Sequence, residues 1–303
     1  MIAFAGWITA CVAHYQCHKY VRRAVESLLG QSYPWIRVIV VSDADPRPPW
    51  KELASISDPR LIRFHLPQNR GCFFCWEVAQ LATPDGLFMM QDADDWADPH
   101  RAATLINALI SSGASIAVSM QPQFSEMPDG RSYQLGMRWD RVVPGPTAQK
   151  FVVQTTLTED FYYRAPHHGL LRIDALRRIG GYYGGFRIGW DTLLTNLLLM
   201  TGSITWRPEP LYYRLIRPES LTHSIHTGTA SDYAARVSCC LRRLYGDCYG
   251  FYRSLRKGHM TSDQLADAIR WASRRYVTAE DQLELQRQAD RLRRAMSTGA
   301  SNV

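Results

Sequence analysis

Apolar residues run almost unbroken through four stretches of the first hundred positions: WITACVAHY at 7–15, IRVIVVSDAD at 36–45, LIRFHLP at 61–67 and GLFMMQDADD at 86–95. Runs of this length, rich in Val, Ile and Phe and bounded by Pro, Gly or Asp, predict strands buried on both faces. Between them, KYVRRAVESLLGQ at 19–31 places Val21, Val25, Leu28 and Leu29 on one helical face, with Pro34 as its stop. GCFFCWEVAQLA at 71–82 reads as a second helix, and a third is expected from about Pro99 to Ser112. Strands alternating with helices predict an α/β fold built on a mostly parallel sheet.

The pattern changes after SIAVSMQPQF at 115–124. A hairpin is expected around Pro128-Asp129-Gly130, then a Pro/Gly-rich loop at 144–146, together a sheet extension shaping a second pocket. Residues 174–202 return to helix and turn, punctuated by Gly180-Gly181 and Gly184-Gly185, and 232–296 reads as helices with a break near Gly258. The chain therefore divides into 1–115, 116–230 and a helical C-terminal extension at 231–303.

A chain of 303 residues with 46% hydrophobic content can bury a sizeable core. No run approaches the ~20 apolar residues of a membrane helix, and the opening MIAFAGWITACVA lacks the basic start and cleavage site of a signal peptide. A cytoplasmic protein without a transmembrane segment is the expectation. The seven cysteines are scattered, which predicts reduced thiols, and the pair in Cys72-Phe73-Phe74-Cys75 reads as packing. Net charge is +7, and residues 232–303 carry 13 Arg or Lys against 8 Asp or Glu. Because those charges interleave with acids and apolar positions, without an aromatic stacking platform, they predict a solvated helical face and no nucleic-acid partner. The same helices could pair with a second copy of the chain.

Three aspartates in four positions, Asp92, Asp94 and Asp95, follow the fourth strand directly. Charges this close repel unless something positive sits among them, and a divalent metal is the simplest such partner. Ligands in open α/β sheets bind beyond the carboxyl ends of strands. His14-Tyr15, Asp43 and the acid block all stand at such ends, so one cleft is expected to gather them.

The order of segments resembles that of the family 2 glycosyltransferases of GT-A fold, whose core is a Rossmann-like, mostly parallel sheet flanked by helices. The matching pieces are Ala13-His14-Tyr15-Gln16, SLLGQSYPWIRVIVVSDAD, Asn69-Arg70-Gly71, Asp92-Ala93-Asp94-Asp95, LLRIDALRRIGGY at 170–182 and Trp190-Asp191. Their co-linear arrangement over roughly the first 220 residues is more specific than any one of them. Where the family commonly has Ala-Arg-Asn in the second helix, this chain has Cys75-Trp76-Glu77.

The resemblance implies a metal-dependent inverting glycosyltransferase. It would move a sugar from a nucleotide diphosphate donor, a UDP-sugar by analogy, to a hydroxyl or amine of a small natural product or glycan. Ala13, His14, Tyr15, Asp43, Asn69, Arg70, Asp92 and Ala93 fall at donor nucleotide positions, with Asp43 accepting from the base. Mg²⁺ or Mn²⁺ would be held by Asp94 directly and by Asp92 and Asp95 in support, since such hard ions take few protein oxygens and fill their shells with phosphate and water. His223 or His226 could add a late metal ligand, with Arg214 or Arg217 facing the phosphates. Asp191 matches the family's general base, and His168 and Trp190 would line the acceptor side. Simpler readings compete at each place: a helix cap for the acid block, an Asx turn at Asp43, a first-turn acid at Asp191. A sugar-1-phosphate nucleotidyltransferase is the alternative enzyme, although AHYQCHKY stands where its glycine-rich basic loop would be. A non-catalytic nucleotide-sugar or nucleic-acid binder is the alternative class.

Overall fold

The computed structural model describes residues 4–127, 131–138, 152–153, 167–218, 220, 227–228 and 230–298. Strands β1 (Ile8–His14), β2 (Ile36–Ser42), β3 (Leu61–His65) and β4 (Leu87–Asp92) form from the four apolar runs, with helices α1 (His18–Leu29), α2 (Cys72–Ala82) and α3 (Arg101–Ser112). Then come β5 (Trp96–Ala97), β6 (Ile116–Glu126), β7 (Ser132–Arg138), β8 (Val152–Val153), β9 (Leu170–Arg172), α4 (Ile173–Arg178), α5 (Trp190–Thr201), β10 (Ile204–Pro210) and β11 (Tyr212–Ile216). The C-terminal extension is α6 (Asp232–Arg256), α7 (Ser262–Ser273) and α8 (Ala279–Thr298).

The main sheet runs β3-β2-β1-β4-β9-β6-β10-β8. Its first four strands are mutually parallel, and β9 is antiparallel to both β4 and β6. Beyond this path the far half of β6 pairs with β7 and β11. β6 and β7 are the two arms of the expected hairpin; its turn at 128–130 and the loop at 144–146 lie outside the described residues.

Alternation along the strands sorts the core into two layers, which is why the runs read as continuously apolar. Cys11, Ile39, Val41, Phe88 and Met90 face a layer filled by α2, α5 and the C-terminal helices. Ala10, Val12, Val38, Val40 and Met89 face the layer of α1 and α3.

Three expectations need correction. Helix α1 stops at Leu29 with Gly30 as its C-cap, ahead of Pro34, and Ala24 rather than Leu29 joins the buried face. The fourth strand ends at Asp92, because the backbone turns there and Asp95 N–H donates to the Asp92 carbonyl. The C-terminal helices break twice, near Gly258 and again between Ser273 and Ala279.

Candidate active site

Parallel register brings the strand ends level: Ala13 pairs with Asp92, and His14 with Ser42. Alternation then decides which side chains meet. Asp43 continues the parity of Ile39 and Val41, and Asp92 that of Phe88 and Met90, so both face the α2/α5 layer. His14 continues the parity of Ala10 and Val12 and is fully buried on the α1 side. The expected single cleft therefore gathers Asp43 and Asp92 but not the His14 ring. Ala13 is half-buried on the cleft side, and Tyr15 is exposed at the rim.

The Asn-Arg-Gly turn wraps Asp43. Its carboxylate accepts the backbone N–H of Arg70 and of Gly71, each at 2.7 Å, and Asn69 Nδ2 donates to its carbonyl at 3.0 Å. Gly71 has φ 91 and ψ 163, a region open essentially to glycine, so both N–H groups can aim at one acid. Burial raises the Asp43 pKa against the pull of those two donors. The Arg70 guanidinium, expected at the donor nucleotide, is turned onto Asp281 of α8 and lies over the Phe74 ring. The Asx turn forms two residues later, where Asp45 Oδ1 accepts Arg47 N–H at 2.9 Å.

The acid block divides into three environments. Asp92 receives His168 Nε2 at 2.9 Å and keeps 31% of its side chain exposed. Asp94 accepts Arg217 Nε at 2.5 Å. Asp95, buried, accepts Leu215 N–H at 2.8 Å with Arg214 Nε at 3.9 Å. All three carboxyls are raised: Asp92 and Asp95 by burial, Asp94 by burial and then Asp92, with Asp95 raised furthest and also by its two neighbours. A divalent cation would relieve that repulsion, so the donor set fits one. Ligand atoms of Asp92, Asp95 and His168 already lie within 4.8 Å of one another, which adds His168 to the cation side, whereas Asp94 is engaged by an arginine. Ala93 is buried in the turn, and His223 and His226 lie outside the described residues.

Asp191 sits in the first turn of α5, after Gly189 as N-cap. Its carboxylate stands 3.4 Å from His167 Nδ1, and the rings of His167 and His168 are 3.9 Å apart. Two adjacent histidines thus bridge Asp191 and Asp92. Cys72, at the start of α2, sees the whole arrangement: burial first, then Asp92, Asp191 and Asp43, push its thiol well up. Trp190 is fully buried in the core beside Phe186, so it supports Asp191 from beneath and does not line an acceptor pocket.

Sequence reasoning missed Arg101 and Tyr212. Arg101 is fully buried, donates to Gln91 Oε1 at 2.9 Å and to the His168 carbonyl at 3.2 Å, and lies over the Tyr212 ring. Burial lowers its pKa to about 10. Tyr212 stacks on His168, and its hydroxyl accepts Asp92 N–H. No periodicity or motif spacing marks either residue, because both are placed by contacts between distant segments.

The model of the family described as glycosyl transferase family 2 matches residues 9–180. Succinoglycan biosynthesis protein ExoO of Rhizobium meliloti (strain 1021) is 27% identical over 247 residues, 78% of this chain and 68% of that protein. The crystal structure of S. aureus TarS 1–349 in complex with UDP superimposes with TM-score 0.54 at 13% identity, covering 97% of this chain and 92% of that one. The complex of the same protein with UDP-GlcNAc gives TM-score 0.53 at 12% identity over the same shares. Of the chain in a further TarS crystal structure, this chain covers 53%. At such identities the likeness to TarS is one of fold.

Proposed function

This chain belongs to glycosyl transferase family 2, and on that premise we propose that it transfers a sugar, with inversion at the anomeric carbon, from a nucleotide diphosphate donor to an acceptor hydroxyl or amine. The observation that carries the reading is the bridge Asp191–His167–His168–Asp92, which sets a candidate base across a short gap from the acid block. A reacting carbon lying between them would have the diphosphate on one side and the attacking nucleophile on the other. UDP and UDP-GlcNAc in the TarS complexes support a UDP-sugar as donor.

Asp43, fixed by the Asn-Arg-Gly turn, remains able to accept from a base N–H through its free lone pairs. Asp92 and Asp95, with His168 alongside, stand close enough to share Mn²⁺ or Mg²⁺, and Asp94 would join them on release from Arg217. When bound, such an ion neutralises charge on the departing diphosphate. Arg217 and Arg214, now paired with Asp94 and Asp95, stand on the same rim as cations for the phosphates. Asp191 takes the proton from the acceptor as its oxygen or nitrogen attacks, with the carboxylate oriented by His167. The acceptor is a small natural product or a glycan, and succinoglycan synthesis by the relative named above supports the glycan.

The test is turnover of a UDP-sugar panel together with donor binding in the presence and absence of Mn²⁺. Asp191→Asn is expected to lower turnover by about 10²–10⁴ while leaving donor binding intact. Asp94→Asn is expected to abolish turnover and also to weaken Mn²⁺-dependent donor binding. Full activity in either variant would remove that residue from the mechanism.

A further inference from the structure

On the α1 side of the sheet, opposite the face that carries the Asp92 side chain, a second group of ligand-type side chains converges. His14 at the end of β1, His18 at the start of α1 and Asp45 in the loop after β2 offer three donor atoms within 4.8 Å of one another. His14 Nδ1 is 3.6 Å and His18 Nε2 3.8 Å from the same oxygen, Asp45 Oδ2. Ligands about 2.0–2.1 Å from a tetrahedral ion stand roughly 3.3–3.4 Å from each other, so small side-chain adjustments would close the set around one centre.

Two further observations point to a ligand here. The His14 side chain is fully buried, yet neither ring nitrogen has a hydrogen-bond partner. A buried imidazole left in that state carries an uncompensated desolvation cost. Nearby Glu52 acts electrostatically on His14, and its buried Oε2 is also without a partner. The imidazole is in the form that can ligate: burial first, then His18, lowers the His14 pKa to about 4, so the ring is neutral near pH 7. Asp45 is held as a carboxylate, because the N–H groups of Gln16 and Arg47 outweigh the effect of its burial.

We propose that His14, His18 and Asp45 form a second cation site, distinct from the acid block, for a transition-metal dication of the zinc class. Two imidazoles and one carboxylate are the donor set such ions prefer, whereas Mg²⁺ prefers oxygen alone. To bind, His18 takes the tautomer with its proton on Nδ1, so that Nε2, now donating to the Arg47 carbonyl at 2.5 Å, presents its lone pair to the ion. The bound ion ties the end of β1 and the first turn of α1 to the loop that carries Asp43 two residues before Asp45. It is a staple behind the cleft, and touches neither donor nor acceptor.

Calorimetric titration of the chelator-treated protein with ZnCl₂ tests it, with folding of each variant checked by circular dichroism. His18 is partly exposed, so His18→Ala should fold. The wild type and Asp92→Asn are expected to share an equivalent of Zn²⁺ that His18→Ala and Asp45→Asn lose or bind at least about 100-fold more weakly, beyond what removal of an outer-shell partner costs. Co²⁺ in the wild type is expected to show visible bands without a thiolate charge-transfer band, and His18→Ala to lose them. Superimposable titrations of the wild type and His18→Ala would overturn the proposal. So would loss of the equivalent in Asp92→Asn alone, or a thiolate band implicating Cys17.

Discussion

Asp92, Asp94 and Asp95 share one turn yet meet different partners, a histidine, an arginine and a backbone N–H. Asp95 is the most strained electrostatically, since burial and two neighbouring carboxylates outweigh Arg214 and hold its proton well above the usual range. The folded state therefore keeps that proton to higher pH than the unfolded chain, where an Asp titrates near about 3.9. Stability is lost as pH rises from there toward the folded value. In chelator, Asp95→Asn is expected to melt higher than the wild type at pH 8, by about 2–4 °C, the shift that roughly 1 kcal/mol produces in a chain of moderate size. The difference should vanish near pH 4, and Mn²⁺ should raise the melting temperature of the wild type more than that of the variant. A variant that melts lower at pH 8 would show that the Arg214 pairing dominates instead.

Among the elements, the turn from β3 into α2 depends on the backbone of a single glycine. Gly71 adopts a conformation costing other residues about 1–3 kcal/mol, and there it presents its N–H to Asp43. Gly71→Ala is expected to lower unfolding free energy by about that amount in urea denaturation and to weaken nucleoside diphosphate binding measured calorimetrically. Unchanged stability would mean that the turn relaxes without cost. At the start of β9, Gly169 has a different constraint: a Cβ there would stand 2.3 Å from the Ala117 carbonyl, so close passage against β6 is what brings His168 to Asp92. Gly71 stood in one of the motifs that signalled the site, and Gly169 immediately before another. Their reasons lie in a turn angle and an interstrand contact, which motif spacing does not state.

Across the whole molecule, the C-terminal helices complete the core. One buried cluster includes Phe74 and Trp76 of α2, Leu194 and Leu197 of α5, Leu241 and Leu244 of α6, Ile269 of α7 and Leu285 and Leu292 of α8. Glu77 gives this packing its polar link: buried, it accepts Tyr182 N–H and stands 3.5 Å from Arg274, beyond α7. That explains why Trp and Glu occupy helix positions where the family commonly has Arg and Asn. They serve the interface with the extension, which spacing in α2 alone does not reveal. A chain truncated after residue 230 would expose this face, and it is expected to lose near-UV circular dichroism and a cooperative melting transition. A truncated chain that melts cooperatively would show the extension to be dispensable. Among the described residues no helix is long and apolar enough to cross a membrane.

The sequence by itself determined the strands and helices of the first half, the family, and the placing of Asp43 and Asp92 at the carboxyl ends of strands. Each of these follows from local periodicity or from motif order. Only the tertiary structure decided which of those ends share a cleft, because alternation turns His14 to one face of the sheet and Asp92 to the other. It also decided which partner each carboxylate receives. Arg217 reaches Asp94 across 123 positions and His168 reaches Asp92 across 76, contacts that no pattern within either segment encodes.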